Sequence, residues 1–160
     1  MEIPYRDFTI RPATNTDIPS IKNVVFSVLE EYGLKGSESG KDKDLADIEQ
    51  HYFSKNGYFG VVIEHTTNEI IGTFGLYRLD DASCELRKMY LLKRARGKGV
   101  GEFILKYAIQ KAKEIGYSRI VLETISPLKE AIALYKKHGF KEITPKEISD
   151  RVDQAFELTL

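Results

Sequence analysis

Among its 160 residues the chain has no tryptophan, one cysteine, three histidines and five prolines. A lone cysteine closes no internal disulfide and offers no zinc pattern. Cys84 therefore reads as a small buried residue of a reduced, cytoplasmic protein, and not as an activated nucleophile. His51, His65 and His138 stand far apart, without the spacing that holds a metal, so no metal is expected. No apolar run approaches the ~20 residues a membrane span needs. The start, Met1 to Arg6, lacks the apolar centre of a secretory leader. Lys+Arg and Asp+Glu both total 24, so the formal net charge is zero. That argues against a nucleic-acid partner, which calls for a basic excess. A chain of this length is most simply one domain, 1–160, with one core.

Hydrophobic spacing then divides the chain. Phe8 to Arg11 alternates as a strand. Asn15 to Asp17 starts a helix whose apolar positions run from Ile18 to about Tyr32. Residues 33–43 form a glycine-, serine- and charge-rich loop. Leu45, Ile48 and Tyr52 suggest a weaker helix ending near Asn56 and Gly57. Tyr58 to Glu64, Ile70 to Leu79 and Cys84 to Leu92 read as an antiparallel meander. The best amphipathic helix runs from Gly99 to Ile115 and stops at Gly116. Arg119 to Thr124 is a strand. Ser126 and Pro127 suit the cap and first turn of a helix reaching His138, closed by Gly139. Phe140 to Ile143 and Ala155 to Leu160 suggest a late hairpin. This order gives an α/β fold, a mixed, mostly antiparallel sheet with helices on both faces. The strands flanking the helix 99–115 must be parallel, joined by a right-handed crossover. The exposed C-terminal strand could pair with a second chain, so monomer and homodimer are both open.

One stretch carries chemistry. Arg96, Gly97, Lys98, Gly99, Val100 and Gly101 lie between a strand and the best helix. Glycines leave backbone N–H groups approachable, and a helix N-terminus adds unpaired donors and a positive dipole end. Lys93, Arg94, Arg96 and Lys98 surround the turn. The combination suits a phosphate or pyrophosphate. A Rossmann-type dinucleotide site also has strand, glycines and helix, and Glu123 lies about 20 residues on, where a ribose-binding acid would stand. Glu102, however, occupies the position of that motif's third glycine.

These residues resemble the GCN5-related N-acetyltransferases (GNAT). Arg96, Gly99 and Gly101 match that family's acetyl-CoA loop, Arg/Gln-x-x-Gly-x-Gly/Ala. Glu85 to Leu91 looks like its fourth strand. Ala131, Tyr135, Gly139 and Phe140 look like its last helix and exit. The likeness is densest over 85–143. Lys93 and Leu128 depart from it, where the family usually has proline and asparagine. The resemblance implies a GNAT-like fold and acetyl transfer from acetyl-CoA to a primary amine, of a small molecule or a protein, in a ternary complex. It implies Tyr135 as general acid for the departing thiolate and Glu85 as a possible base. It also implies a bulged strand on which the Leu91 N–H polarises the thioester carbonyl. Residues 96–101 would hold the cofactor. Glu30, Glu31, Tyr32, Tyr77, Tyr90 and the loop 33–43 would shape the acceptor side. A non-catalytic acyl-CoA sensor on the same fold is the alternative.

Overall fold

A computed structural model describes residues 2–160. One eight-stranded sheet runs through it, from β1 (Ile3–Tyr5), β2 (Phe8–Pro12), β3 (Tyr58–Glu64), β4 (Glu69–Arg78) and β5 (Ser83–Leu91) to β6 (Arg119–Thr124), β7 (Lys141–Ile143) and β8 (Gln154–Thr159). Its spatial order is β1-β2-β3-β4-β5-β6-β8-β7. Only β5 and β6 pair in parallel; every other neighbour is antiparallel. The helix between them, α3 (Val100–Ile115), makes the expected crossover. A single parallel pair does not build the parallel sheet of a dinucleotide-binding fold, so that alternative is withdrawn.

Helices cover both faces because each presents one apolar stripe. On one face α1 (Ile18–Glu31) and the short α2 (Ile48–His51) bury Ile21, Val25, Leu29 and Ile48 against Phe59 and Val61. On the other, α3 and α4 (Lys129–Lys137) bury Ile104, Leu105, Ala108, Ile132 and Tyr135 against Phe74, Leu122 and Phe156.

Four expectations are corrected. The weak helix at 45–52 is a 3₁₀ turn (Lys43–Ala46), α2, and a second turn (Phe53–Lys55). Strand β1 was absent from the sequence reading. Ser126 does not cap α4, which begins at Lys129; its N–H and Oγ instead donate to Asp153 at 2.8 and 3.0 Å. The C-terminal strand β8 lies inside the sheet, with β7 at the edge, so it offers no edge to a partner.

Candidate active site

The site begins where two strands part. β5 and β6 pair only over Ser83–Glu85 and Arg119–Val121. Beyond Glu85, β5 continues to Leu91 with no partner on that side. The cause is a bulge. On β4, Thr73 faces Tyr90 and Gly75 faces Arg87, so one β4 residue stands opposite both Lys88 and Met89. Lys88 takes a left-handed φ of +53°. The extra residue bends β5 and opens a wedge toward β6. Thr73 fixes the bulge by donating its hydroxyl to the Lys88 carbonyl at 2.7 Å.

The bulge leaves backbone groups facing the wedge. Leu92 donates its N–H to Ile71 O at 2.9 Å. Strand alternation therefore turns the N–H and C=O of Leu91 away from β4. The Leu91 carbonyl accepts from Arg96 Nε and Nη2 at 3.1 and 2.8 Å. Arg96 Nη2 also meets Glu31 on α1 at 2.6 Å. Arg96 thus ties the glycine turn to β5 and α1 with its guanidinium already engaged.

The glycine turn follows. Gly97 and Gly99 hold φ of +76° and +79°, the left-handed region open to glycine. Gly99 precedes the first turn of α3. Arg96 N–H bonds Lys93 O and Phe103 N–H bonds Gly99 O. Between them, among the described residues, the amides of Gly99, Val100, Gly101 and Glu102 find no backbone acceptor. These four donors and the positive end of a sixteen-residue helix fit a pyrophosphate. The β1–β2 hairpin flanks the turn. Arg6 donates to Lys98 O at 3.3 Å, and Tyr5 stacks on Phe103 at 4.4 Å. Glu102, in the first turn of α3, accepts from Lys137 and His138 at 2.7 and 2.8 Å. Those two bonds lower its pKa to about 2.

At the far side of the wedge lies a cavity of about 370 Å³, bounded by β5, the end of β6, α1 and residues 40–44 and 151–152. Tyr135, Glu85, Tyr32, Tyr77 and Tyr90 all line it. Tyr135 is buried, and its ring packs on Phe140 and Phe156. Burial, with Tyr90 nearby, pushes its pKa up, and no hydrogen bond contributes. It stays a neutral donor. Glu85 accepts a hydrogen bond from Arg87, whose guanidinium lies 3.8 Å from the Tyr77 ring centroid. Glu123, near the end of β6, lines the same cavity, is exposed, and has no ion pair among the described residues. Burial and the neighbouring Glu85 raise its pKa. With the dinucleotide alternative withdrawn, Glu123 has no ribose to bind and lines the cavity instead. Pairing of Glu85 with Val121 sets Glu123, two residues on, on the Glu85 face, and the wedge leaves it without a partner on β5. Cys84 is buried and its thiol is pushed up to about 12, the inert residue expected.

A buried ion cluster holds the cavity wall. Lys88 Nζ lies 3.3 Å from Asp42 Oδ1 and 3.2 Å from Asp44 Oδ1. Arg151 grips Asp42 with two bonds of 2.8 and 2.9 Å, and the Tyr52 hydroxyl donates to Asp44. Two cations and two carboxylates thus fasten residues 37–47 and 149–152 to the bulge. Burial pushes Asp42 up, but bonds from Arg151 and Ser37 and the charge of Lys88 outweigh it and hold its pKa below the usual 3.8. Removing one member of a buried pair leaves its partner uncompensated. Asp42→Asn is therefore expected to cost about 3 kcal/mol at pH 7, a fall of about 10 °C in Tm. A carboxylate with a lowered pKa stabilises the fold above its unfolded value and loses that as pH falls through the folded one. The gap between wild type and variant should therefore close below about pH 4. Thermal melts across pH check both.

The same architecture is found in known proteins. The GNAT acetyltransferase family model matches residues 25–140. An uncharacterized N-acetyltransferase of Escherichia coli, YjgM, is 38% identical over 139 residues, 84% of this chain and 82% of that protein. An uncharacterized N-acetyltransferase of Schizosaccharomyces pombe is 30% identical, over 81% of this chain and 79% of its own length. The crystal structure of a GNAT-family acetyltransferase from Staphylococcus aureus superposes with a TM-score of 0.86 at 26% identity, covering 95% of this chain and 98% of that one. An Elizabethkingia anophelis GNAT acetyltransferase crystallised with acetyl-CoA bound shares the fold, with a TM-score of 0.67 at 23% identity over 98% of this chain and 100% of that one. The chain belongs to the GNAT family and is an acetyltransferase. Among the described residues, no helix is long and apolar enough to cross a membrane.

Proposed function

We propose that this chain transfers an acetyl group from acetyl-CoA to a primary amine, both bound at once along the β5–β6 wedge. The observation that carries the reading is the parting of β5 from β6, with Tyr135 lining the cavity beside it and Gly101 next to Leu91 and Leu134. Acetyl-CoA supplies, when bound, an acyl group activated by a thiol leaving group. The amides of Gly99, Val100, Gly101 and Glu102 hold its pyrophosphate. The Leu91 N–H, turned off β4, donates to the acyl oxygen and stabilises charge as it develops there. Tyr135, kept protonated by burial, gives its proton to the sulfur.

An amine must lose a proton to attack, and ordinary amines are mostly protonated at neutral pH. Glu123 supports the role of base better than Glu85. Arg87 already occupies Glu85, whereas Glu123 has no ion pair and a raised pKa. A base works only when deprotonated, so activity should rise with pH through a limb above the ordinary glutamate value of 4.5. Glu123→Gln is expected to lower kcat/KM about 100-fold at neutral pH and to flatten that limb. Glu85→Gln should cost much less. Steady-state thiol release across pH is the test; a silent Glu123→Gln beside a dead Glu85→Gln would return the role to Glu85.

A further inference from the structure

The acceptor can be narrowed from the charges that face it. Most charged groups of the cavity neutralise one another. Arg87 pairs with Glu85, Lys88 with Asp42 and Asp44, and Arg151 with Asp42. Three lining groups remain. Glu123 stands on the β6 side without an ion pair. Lys41 and Lys43 also line the cavity, on the turn that the ion cluster fastens down. Lys41 Nζ donates only to the neutral Ser149 hydroxyl, at 2.8 Å. Lys43 is exposed and has no ion pair among the described residues.

The cavity therefore offers one free carboxylate and two ammonium groups. A polyamine or a lysine side chain would satisfy the carboxylate and meet two like charges. A molecule with an amine at one end and a carboxylate at the other satisfies both. Val28, Leu29 and Leu34 with the rings of Tyr32 and Tyr77 give the wall an apolar part. The volume, about 370 Å³, suits a molecule of amino-acid size.

We infer that the acceptor is a free amino acid, its amine at Glu123, its carboxylate at Lys41 and Lys43, and its side chain on the apolar wall. This rests on the acetyl-transfer reading above. The lysines bind and orient; the proton chemistry stays with Glu123 and Tyr135.

A competition reaction tests it. The full chain is given acetyl-CoA and an equimolar mixture of the common amino acids, their amides, their decarboxylated amines, and spermidine. Acetylated products are resolved by mass. Acetylated amino acids should exceed the matching amides and amines by at least tenfold. In the double variant Lys41→Ala, Lys43→Ala, that preference should fall about tenfold. The double variant should melt like wild type, because neither side chain joins the buried cluster. Amides, amines or spermidine acetylated as well as the amino acids would overturn the inference and leave acetyl transfer standing. No product from any acceptor, while acetyl-CoA still raises the melting midpoint, would overturn the inference and leave cofactor binding standing. No product and no such rise would overturn the acetyl-transfer reading as well.

Discussion

Replacing Gly99 by glutamate is expected to weaken acetyl-CoA binding at least 100-fold. Three effects act together. The residue holds φ +79°, where a side chain is strained. A Cβ there would come within 2.7 Å of the Tyr5 hydroxyl, so the Tyr5 side chain would have to shift. The new carboxylate would stand among the amides of Gly99 to Glu102, where an anionic ligand is expected, and like charges repel. Gly101 is the matched control. Its Cβ would meet only Leu134 and Leu91, at 3.5 and 3.8 Å, ordinary contact distances, and its φ is not positive. Gly101→Ala should bind within about threefold of wild type. Calorimetric titration of both variants, with a melt of each unliganded chain, separates a lost site from a lost fold. Unweakened binding by Gly99→Glu would show that the turn does not hold the phosphate.

Tyr135→Phe is expected to lower kcat about 100-fold at neutral pH, within the range set by losing a general acid, with acetyl-CoA affinity unchanged within twofold. The structure makes the substitution clean. The ring keeps its contacts with Phe140 and Phe156. No hydrogen bond to the hydroxyl is lost, so the fold should melt within about 1 °C of wild type. A drop in kcat with binding preserved assigns the hydroxyl to the chemical step. Unchanged turnover would remove Tyr135 from the mechanism, and a non-catalytic sensor would then need to be reconsidered.

The glycine turn, α3 and the hairpins of β3 to β5 could be read from sequence because each is encoded locally. Turn residues, alternation and helical spacing all agree there. The bulge could not. Ser83 to Leu91 contains no glycine and reads as an unbroken strand. Lys88 leaves the regular pairing where it meets two carboxylates more than 40 residues earlier in the chain, and no local signal reports them. The same cause hid Glu123. A charged residue on a strand face is usually solvated or paired across to a neighbour, and only the parting of β5 from β6 leaves it facing a cavity. Arg96 was found for its charge, yet its guanidinium is engaged by the Leu91 carbonyl and Glu31. The phosphate-holding capacity falls to backbone amides, which every residue has and no sequence pattern displays. The start of α4 was misplaced because Ser126 and Pro127 form a sound cap pair, but Asp153, 27 residues on, takes the serine instead.

The account stands on the claim that the amides of residues 99–102 bind the pyrophosphate of acetyl-CoA. Its most direct test is parallel calorimetric titration of the wild-type chain with acetyl-CoA, CoA and NAD. Saturable binding of both CoA species is expected at one site per chain, with comparable affinities because the pyrophosphate is common to both, and at least tenfold weaker binding of NAD, which shares the pyrophosphate but lacks the pantetheine arm. Binding of NAD alone, or no binding of either CoA species, would contradict it.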